Sequence, residues 1–180
     1  MADTTQGAGD SPAPDGIEER HWRPLGSLGR HASPLALVAF GLVVALALSG
    51  LLGREATRRA QGSETALSVH APEIIRNGEF FEVRIRIEPE QPIATLTIGI
   101  EQSLLEDMTV NTMIPAASGE ESADGEFRFA FGALEPGTAF LAKIDVQVNP
   151  DIVGGNDGAI TVYDGETPLV EVPVSIAVLP

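Results

Sequence analysis

The chain has 180 residues, with 11 Lys and Arg against 26 Asp and Glu, a net charge of −15 and no cysteine. The composition excludes disulfides and thiolate metal sites, and the negative charge argues against nucleic acid and anionic lipid head groups as partners. Residues 65–180 hold nineteen acids against four Arg and one Lys, so the acidity belongs to that part of the chain.

Residues 1–33 are rich in Gly, Pro, Ser, Asp and Thr and contain few large apolar side chains. A segment of this composition cannot bury enough apolar surface to fold. We therefore predict a disordered tail over 1–33.

Residues 34–53 are predicted to form one transmembrane helix. From Leu35 to Gly53 every residue is apolar or small, and nineteen residues at about 1.5 Å each span roughly 28 Å, close to the thickness of a hydrocarbon core. A buried helix of a soluble domain and a cleaved signal peptide are the alternatives, the latter because Ala45-Leu46-Ala47 has the small-x-small form of a cleavage site. The long segment before the run and the length of the run favour an uncleaved signal anchor.

The flanking charges do not decide the orientation of this helix. Three arginines precede it and three follow it: Arg20, Arg23 and Arg30, then Arg54, Arg58 and Arg59. We predict a single-pass cell-membrane protein with a cytoplasmic amino terminus, because residues 65–180 have the pattern of an extracytoplasmic module and long domains are translocated largely regardless of charge.

A stripe of small residues runs along the predicted helix at Gly41, Ala45, Ser49 and Gly53. Small residues at i and i+4 allow two membrane helices to approach closely. The stripe predicts helix packing with a second copy, which would make a homodimer, or with another membrane protein. Eight of the nineteen residues are small, so chance is the competing explanation.

Beyond a linker predicted over 54–64, the apolar pattern changes to a period of two, which is typical of half-buried strands. The alternating segments are Phe81–Ile87, Ala94–Ile100, Phe127–Phe131, Ile144–Val148 and Val170–Val178. Turn sequences such as Asn77-Gly78 and Asp164-Gly165 separate them. Residues 65–180 are therefore predicted to form an all-β domain, an immunoglobulin-like antiparallel β-sandwich of seven or eight strands.

Several segments carry a resemblance to a known family. They are Ala66–Pro72, Gly78, Phe81–Ile87, Leu134-Glu135-Pro136-Gly137 and Phe140–Val148. Together they resemble bacterial immunoglobulin-like modules related to cell-adhesion domains. The resemblance implies a noncatalytic spacer or binding module outside the membrane, and it implies no catalytic or cofactor-binding residues.

The residues of the domain offer little catalytic chemistry. His70 is its only histidine, and without a second histidine or a thiolate neither a catalytic triad nor a zinc site is indicated. Two acidic stretches, residues 120–126 and 151–157, carry oxygen ligands of the kind that calcium accepts, but they lack the spacing of an EF-hand loop. We predict no enzyme activity, no cofactor and no metal site.

The predicted function is a membrane-anchored, noncatalytic binding or accessory subunit. It would contact the lipid bilayer through its helix and a membrane or envelope protein through its acidic sandwich, whose exposed sheet edges suit an extended segment. The alternatives are a structural spacer or envelope-associated protein, and a calcium-dependent adhesion module.

Overall fold

The computed structural model describes residues 27–150 and 154–180. The described residues divide into two units, with the boundary between Ala45 and Leu46. Residues 1–26 of the predicted tail, and Asp151 of the second acidic stretch, lie outside the described residues.

Helix α1 extends over Ser27–Leu48, so it begins before the predicted start at residue 34 and ends before the predicted end at residue 53. Residues 27–33, assigned above to the tail, are therefore helical. The apolar run continues past Leu48, but Gly50 adopts φ 73°, a left-handed conformation that ends helices. A short 3-10 turn follows at Leu51–Gly53. Within the part of the chain that the structure describes, no helix is both long and apolar enough to cross a membrane.

Residues 46–180 contain eleven strands within the described ranges. They are β1 Glu55–Gln61, β2 Thr65–Pro72, β3 Ile74–Arg76, β4 Phe80–Pro89, β5 Ile93–Glu101, β6 Met108–Ile114, β7 Gly119–Ala123, β8 Glu126–Leu134, β9 Phe140–Val148, β10 Gly154–Asp164 and β11 Thr167–Leu179. The first sheet has the order β1-β2-β4-β9-β6 and the second β3-β11-β10-β5-β8-β7. All pairs are antiparallel except β3 with β11.

The predicted antiparallel β-sandwich is confirmed, and its core lies between the two sheets. The side chains less than 2% exposed include Leu67, Ile85, Ile87, Leu96, Ile98, Ile144, Val146, Ile160, Val162 and Ile176. These come from alternate positions of β2, β4, β5, β9, β10 and β11. Ala94 was predicted to share the core face of β5 but is exposed, because the strand changes register between Ile93 and Leu96.

The predicted count of seven or eight strands is too low. The extra strands are short or lack large apolar residues at alternate positions: β3 has three residues and β7 has five. The predicted linker over 54–64 contains β1, which pairs with β2 along its whole length. Its inward positions include Arg58, whose Nη2 donates to the Ser175 carbonyl at 3.1 Å. The inward positions of β1 are occupied by alanine and arginine, so the sequence of this strand shows no alternation of large apolar residues.

Candidate functional site

A groove opens on one side of the sandwich between β6, an edge strand of the first sheet, and β7, an edge strand of the second. Its volume is about 660 Å³. Six apolar side chains form its floor: Leu105, Met108, Val110, Met113, Phe127 and Phe129. Phe127 is 38% exposed and Val110 37% exposed. The floor is thus apolar surface that the fold leaves open to solvent.

Strands β7 and β8 form one wall of this groove, and their register decides which side chains face it. Glu120 pairs with Phe129, and Ser122 pairs with Phe127. Because cross-strand partners point to the same face of a sheet, Glu120 and Ser122 lie on the same side as the two phenylalanines. Gln102 Nε2 donates to Ser122 Oγ at 2.8 Å. A carboxylate therefore stands beside the aromatic part of the floor.

Strand β6 forms the opposite wall. Met108 and Val110 pair with Val148 and Val146 of β9, both fully buried. The register shifts between Val110 and Thr112, so Asn111 is an extra residue without a partner on β9. Beyond this bulge Met113 again points inward. The inward side of β6 is consequently apolar along its whole length.

The groove carries a negative rim. Glu120 lines it on the same face as Phe129, and among the described residues it forms no salt bridge. The rest of the domain adds to this field, since residues 65–180 have a net charge of −14. Such a potential attracts cationic groups and repels anionic ones. The groove is suited to a partner that combines apolar and basic side chains.

A second polar arrangement lies on the outer face of the second sheet and is called here the Tyr163 cluster: Gly99, Glu126, Arg128 and Tyr163. The Tyr163 hydroxyl donates to the Glu126 carboxylate at 2.8 Å, and Arg128 Nε donates to the same carboxylate at 3.0 Å. The Arg128 guanidinium also lies 5.0 Å from the Tyr163 ring centroid. Gly99 provides the space, because a Cβ there would lie 2.8 Å from Glu126 Oε2.

Burial and hydrogen bonding alter the protonation of this cluster. Burial, and then the hydrogen bond to Glu126, raise the pKa of Tyr163 above its usual range. The hydrogen bond to Glu126 raises the pKa of Arg128. Tyr163 is therefore neutral and Arg128 charged throughout the physiological range, and each has its partner within the cluster. We interpret the Tyr163 cluster as part of the scaffold.

The four predicted helix-packing residues are divided by the end of α1. Gly41 and Ala45 lie on the helix, whereas Ser49 follows its last residue and Gly53 closes the 3-10 turn. All four are exposed. The α-helix thus carries two members of the stripe, and packing through it stays a prediction.

His70 is joined to two side chains of β1. Its Nδ1 lies 3.0 Å from Thr57 Oγ1, and its Nε2 lies 2.8 Å from Glu55 Oε2. This line of hydroxyl, imidazole and carboxylate contains the residue types of a catalytic triad. Thr57 is the direct cross-strand neighbour of His70 on the outer face of the first sheet, so strand register alone accounts for the contacts.

The acidic residues considered for calcium are dispersed by the fold. Asp124 and Glu126 both bind Arg128, while Glu120 and Glu121 are consecutive strand residues and point to opposite faces. Within the described residues, no group of three or more His, Cys, Asp or Glu side chains is placed to hold a metal ion.

Comparisons with known proteins give only distant likenesses. No protein-family model and no curated protein matches the chain. Among solved structures, the chain is similar to CaCohA2 from Clostridium acetobutylicum at 18% identity, with a TM-score of 0.44 and coverage of 66% of this chain and 92% of that one. In a crystal structure of a CaDoc0917 variant in complex with CaCohA2, a chain matches at 17% identity and a TM-score of 0.41, covering 58% and 93%. A non-cellulosomal cohesin from the archaeon Archaeoglobus fulgidus matches at 12% identity and a TM-score of 0.36, covering 58% and 84%.

Proposed function

We propose that this chain is a noncatalytic binding subunit whose sandwich holds an extended segment of a partner protein in the groove between β6 and β7. The observation that carries the proposal is the open apolar floor. Soluble domains bury most large apolar side chains, and a contiguous exposed group rimmed by polar residues marks a binding site. Phe127 and Val110 form such a group, with Glu120 beside them.

The shape and charge of the groove define the partner. An extended segment suits a groove bounded by two edge strands, because alternate side chains of the segment can enter it. The carboxylate of Glu120 favours lysine or arginine next to the apolar residues of that segment. Burying a few apolar side chains contributes about 1.5–3 kcal/mol each, and the entropy of ordering the segment offsets part of this gain. A dissociation constant on the order of 10 μM is therefore expected.

The binding test uses the full chain in lipid nanodiscs and a displayed library of random decapeptides. Selected peptides are expected to alternate apolar residues with Lys or Arg. Their affinity should fall at least about tenfold in Phe127→Ser and in Glu120→Lys. Leu141→Ser is the matched control, since Leu141 is 42% exposed but lies on the outer face of the first sheet, and it should bind normally. Failure to enrich any peptide, or equal binding by the groove variants, would leave a spacer role as the better account.

We also propose that residues 34–53 anchor the chain in a membrane, with the amino terminus in the cytoplasm and the sandwich outside. The uninterrupted apolar sequence supports the anchor, and so does the exposure of its large side chains on α1, such as 68% at Leu37 and 67% at Phe40. Apolar side chains exposed to this extent along several turns are stable in lipid and costly in water.

Extraction and proteolysis test this anchor. The full chain should stay in the membrane pellet after alkaline carbonate, and deletion of residues 34–53 should release it. In membrane vesicles of known orientation, protease should digest the sandwich only from the non-cytoplasmic side. Release of the intact chain by carbonate would refute the anchor, and digestion from the cytoplasmic side would refute the orientation.

A further inference from the structure

The two sheets end in four edge strands, and these differ in their protection against pairing with another chain. The edges are β1 and β6 in the first sheet and β3 and β7 in the second. Edge strands are usually protected by charge, by shortness, by a β-bulge or by coverage. Strand β3 has three residues, and β7 has five with Glu120 and Glu121 among them.

Strand β1 is protected in a different way. It carries Glu55, Arg58 and Arg59, and one of its side chains forms a hydrogen bond to the other sheet. Arg58 donates to the Ser175 carbonyl of β11 at 3.1 Å and lies 3.9 Å from Glu73. An incoming strand would have to pass charged side chains at this edge.

Strand β6 has only one of these protections, a one-residue bulge. Its seven residues, Met108–Ile114, contain no charged side chain, although the surrounding domain is strongly acidic. Five of the seven are exposed, and within the described residues β9 is its only strand neighbour. The bulge at Asn111 is the one irregularity. An uncharged, β-branched edge of this length is a template for strand addition.

We infer that the partner segment binds as an additional strand on β6, continuing the first sheet. This inference rests on the proposed function and specifies its mode of binding. Alternate side chains of the added strand would enter the groove towards Phe127 and Phe129. The intervening side chains would lie on the outer face, beside Thr112 and one strand from Asp145, where a basic residue is favoured. The backbone amides of every second residue would then bind β6.

The test uses the most enriched decapeptide from the selection described above, synthesised with a single N-methyl group at each position in turn. N-methylation removes one amide donor and keeps the side chain. Affinity should fall about tenfold or more at alternate positions and less than about threefold at those between them. A peptide held only by its side chains would show no such alternation.

Amide hydrogen exchange on the full chain provides a second readout. Peptide binding should slow exchange in β6 by about tenfold or more while leaving the β7 amides unchanged. Protection on β7 instead, or an N-methyl scan without alternation, would overturn the added strand. If Phe127→Ser still abolishes binding in that case, the groove function stands and only the mode is wrong. If no peptide is enriched at all, the proposed function itself has failed.

Discussion

In the Tyr163 cluster the polar groups bind partners within the fold, whereas the groove leaves apolar side chains and the carboxylate of Glu120 facing solvent. Both regions include residues of β8, with Glu126 and Arg128 on one face of the strand and Phe127 and Phe129 on the other. Tyr163 contacts the outer face of β8 through Glu126. On the inner face, Phe127 is partly exposed and lies next to the edge strand β7. The comparison separates a region whose polar groups are satisfied within the fold from one that leaves apolar surface open to solvent.

The two regions should therefore respond differently to substitution. Changes in the Tyr163 cluster should lower the free energy of unfolding, because they leave buried polar groups without partners. Changes on the groove floor should mainly affect binding.

The largest loss of stability is expected for Gly99→Val. A Cβ at Gly99 would lie 2.8 Å from Glu126 Oε2 and 2.9 Å from Tyr163 Cε2, so the two side chains would have to separate. Overpacking of this kind costs about 3 kcal/mol, measured by urea unfolding. Gly119→Val is the matched control, since a Cβ there meets only Ala130 at 3.9 Å, and its effect should stay within about 0.5 kcal/mol. Similar losses at both glycines would contradict this account of Gly99.

Tyr163→Phe should cost about 2 kcal/mol, because it removes a hydrogen-bond donor from the carboxylate of Glu126, a buried residue. The raised pKa of Tyr163 adds a pH dependence. Above about pH 10, the unfolded phenol has lost its proton while the folded one retains it. The free energy of unfolding of the native chain should then fall as the pH rises.

The Phe variant lacks this contribution, so the stability difference between the two proteins should narrow at alkaline pH. Chemical unfolding of both proteins at a series of pH values measures it. If the free energies of unfolding of the two proteins change with pH in parallel, the pKa of Tyr163 is not raised in the folded protein.

A smaller loss, about 1 kcal/mol, is expected for Phe127→Ser. Phe127 already exposes 38% of its surface, so truncation gives up only part of the burial energy of a phenylalanine. Leu141→Ser should show a similar loss in thermal unfolding, because Leu141 is 42% exposed. A loss near 3 kcal/mol at Phe127 alone would mean that the groove floor belongs to the core.

The sandwich was predictable where large apolar residues alternate along a strand. Val83, Ile85 and Ile87 of β4, and Ile144 and Val146 of β9, are buried as their period of two predicted. This pattern is local, and it reports which side of a strand faces the core. It does not report which strands stand at an edge.

The groove could not be predicted from the sequence, because alternation does not identify the edge strands that form it. Phe127 was assigned to a core face together with Phe129, and it does point inward, but β8 lies next to the short edge strand β7 and the core does not extend that far. Met108 and Val110 belong to a strand that the alternation did not reveal, because Asn111 interrupts its period. In the sequence, Glu120 was considered as a calcium ligand and not as part of a binding groove. Its position beside an apolar floor depends on the register between β7 and β8.

Two ion pairs that share the same sequence pattern also show that a local pattern does not predict burial. Glu82-Val83-Arg84 and Glu126-Phe127-Arg128 are both Glu-x-Arg, with the charged side chains on one face of a strand. The side chains of Glu126 and Arg128 are 10% and 15% exposed, against 28% and 51% for Glu82 and Arg84. Gly99 and Tyr163, on other strands, contribute to this difference because both contact Glu126.

The smallest effect is therefore expected for Glu82→Gln. The hydrogen bond from Arg84 lowers the pKa of Glu82 below its usual value of 4.5, and Lys143 at 3.6 Å adds to this. A carboxyl with a lowered folded pKa stabilises the fold above its unfolded pKa, and this contribution is lost as the pH falls through the folded value. Glu82→Gln should slightly lower stability at pH 7 and be indistinguishable from the native chain at pH 2. Acid titration followed by circular dichroism measures this convergence. Solvent should weaken the more exposed pair, Glu82 with Arg84. A loss of stability at pH 7 as large as that of Tyr163→Phe would therefore contradict exposure as the reason for the difference between the two ion pairs.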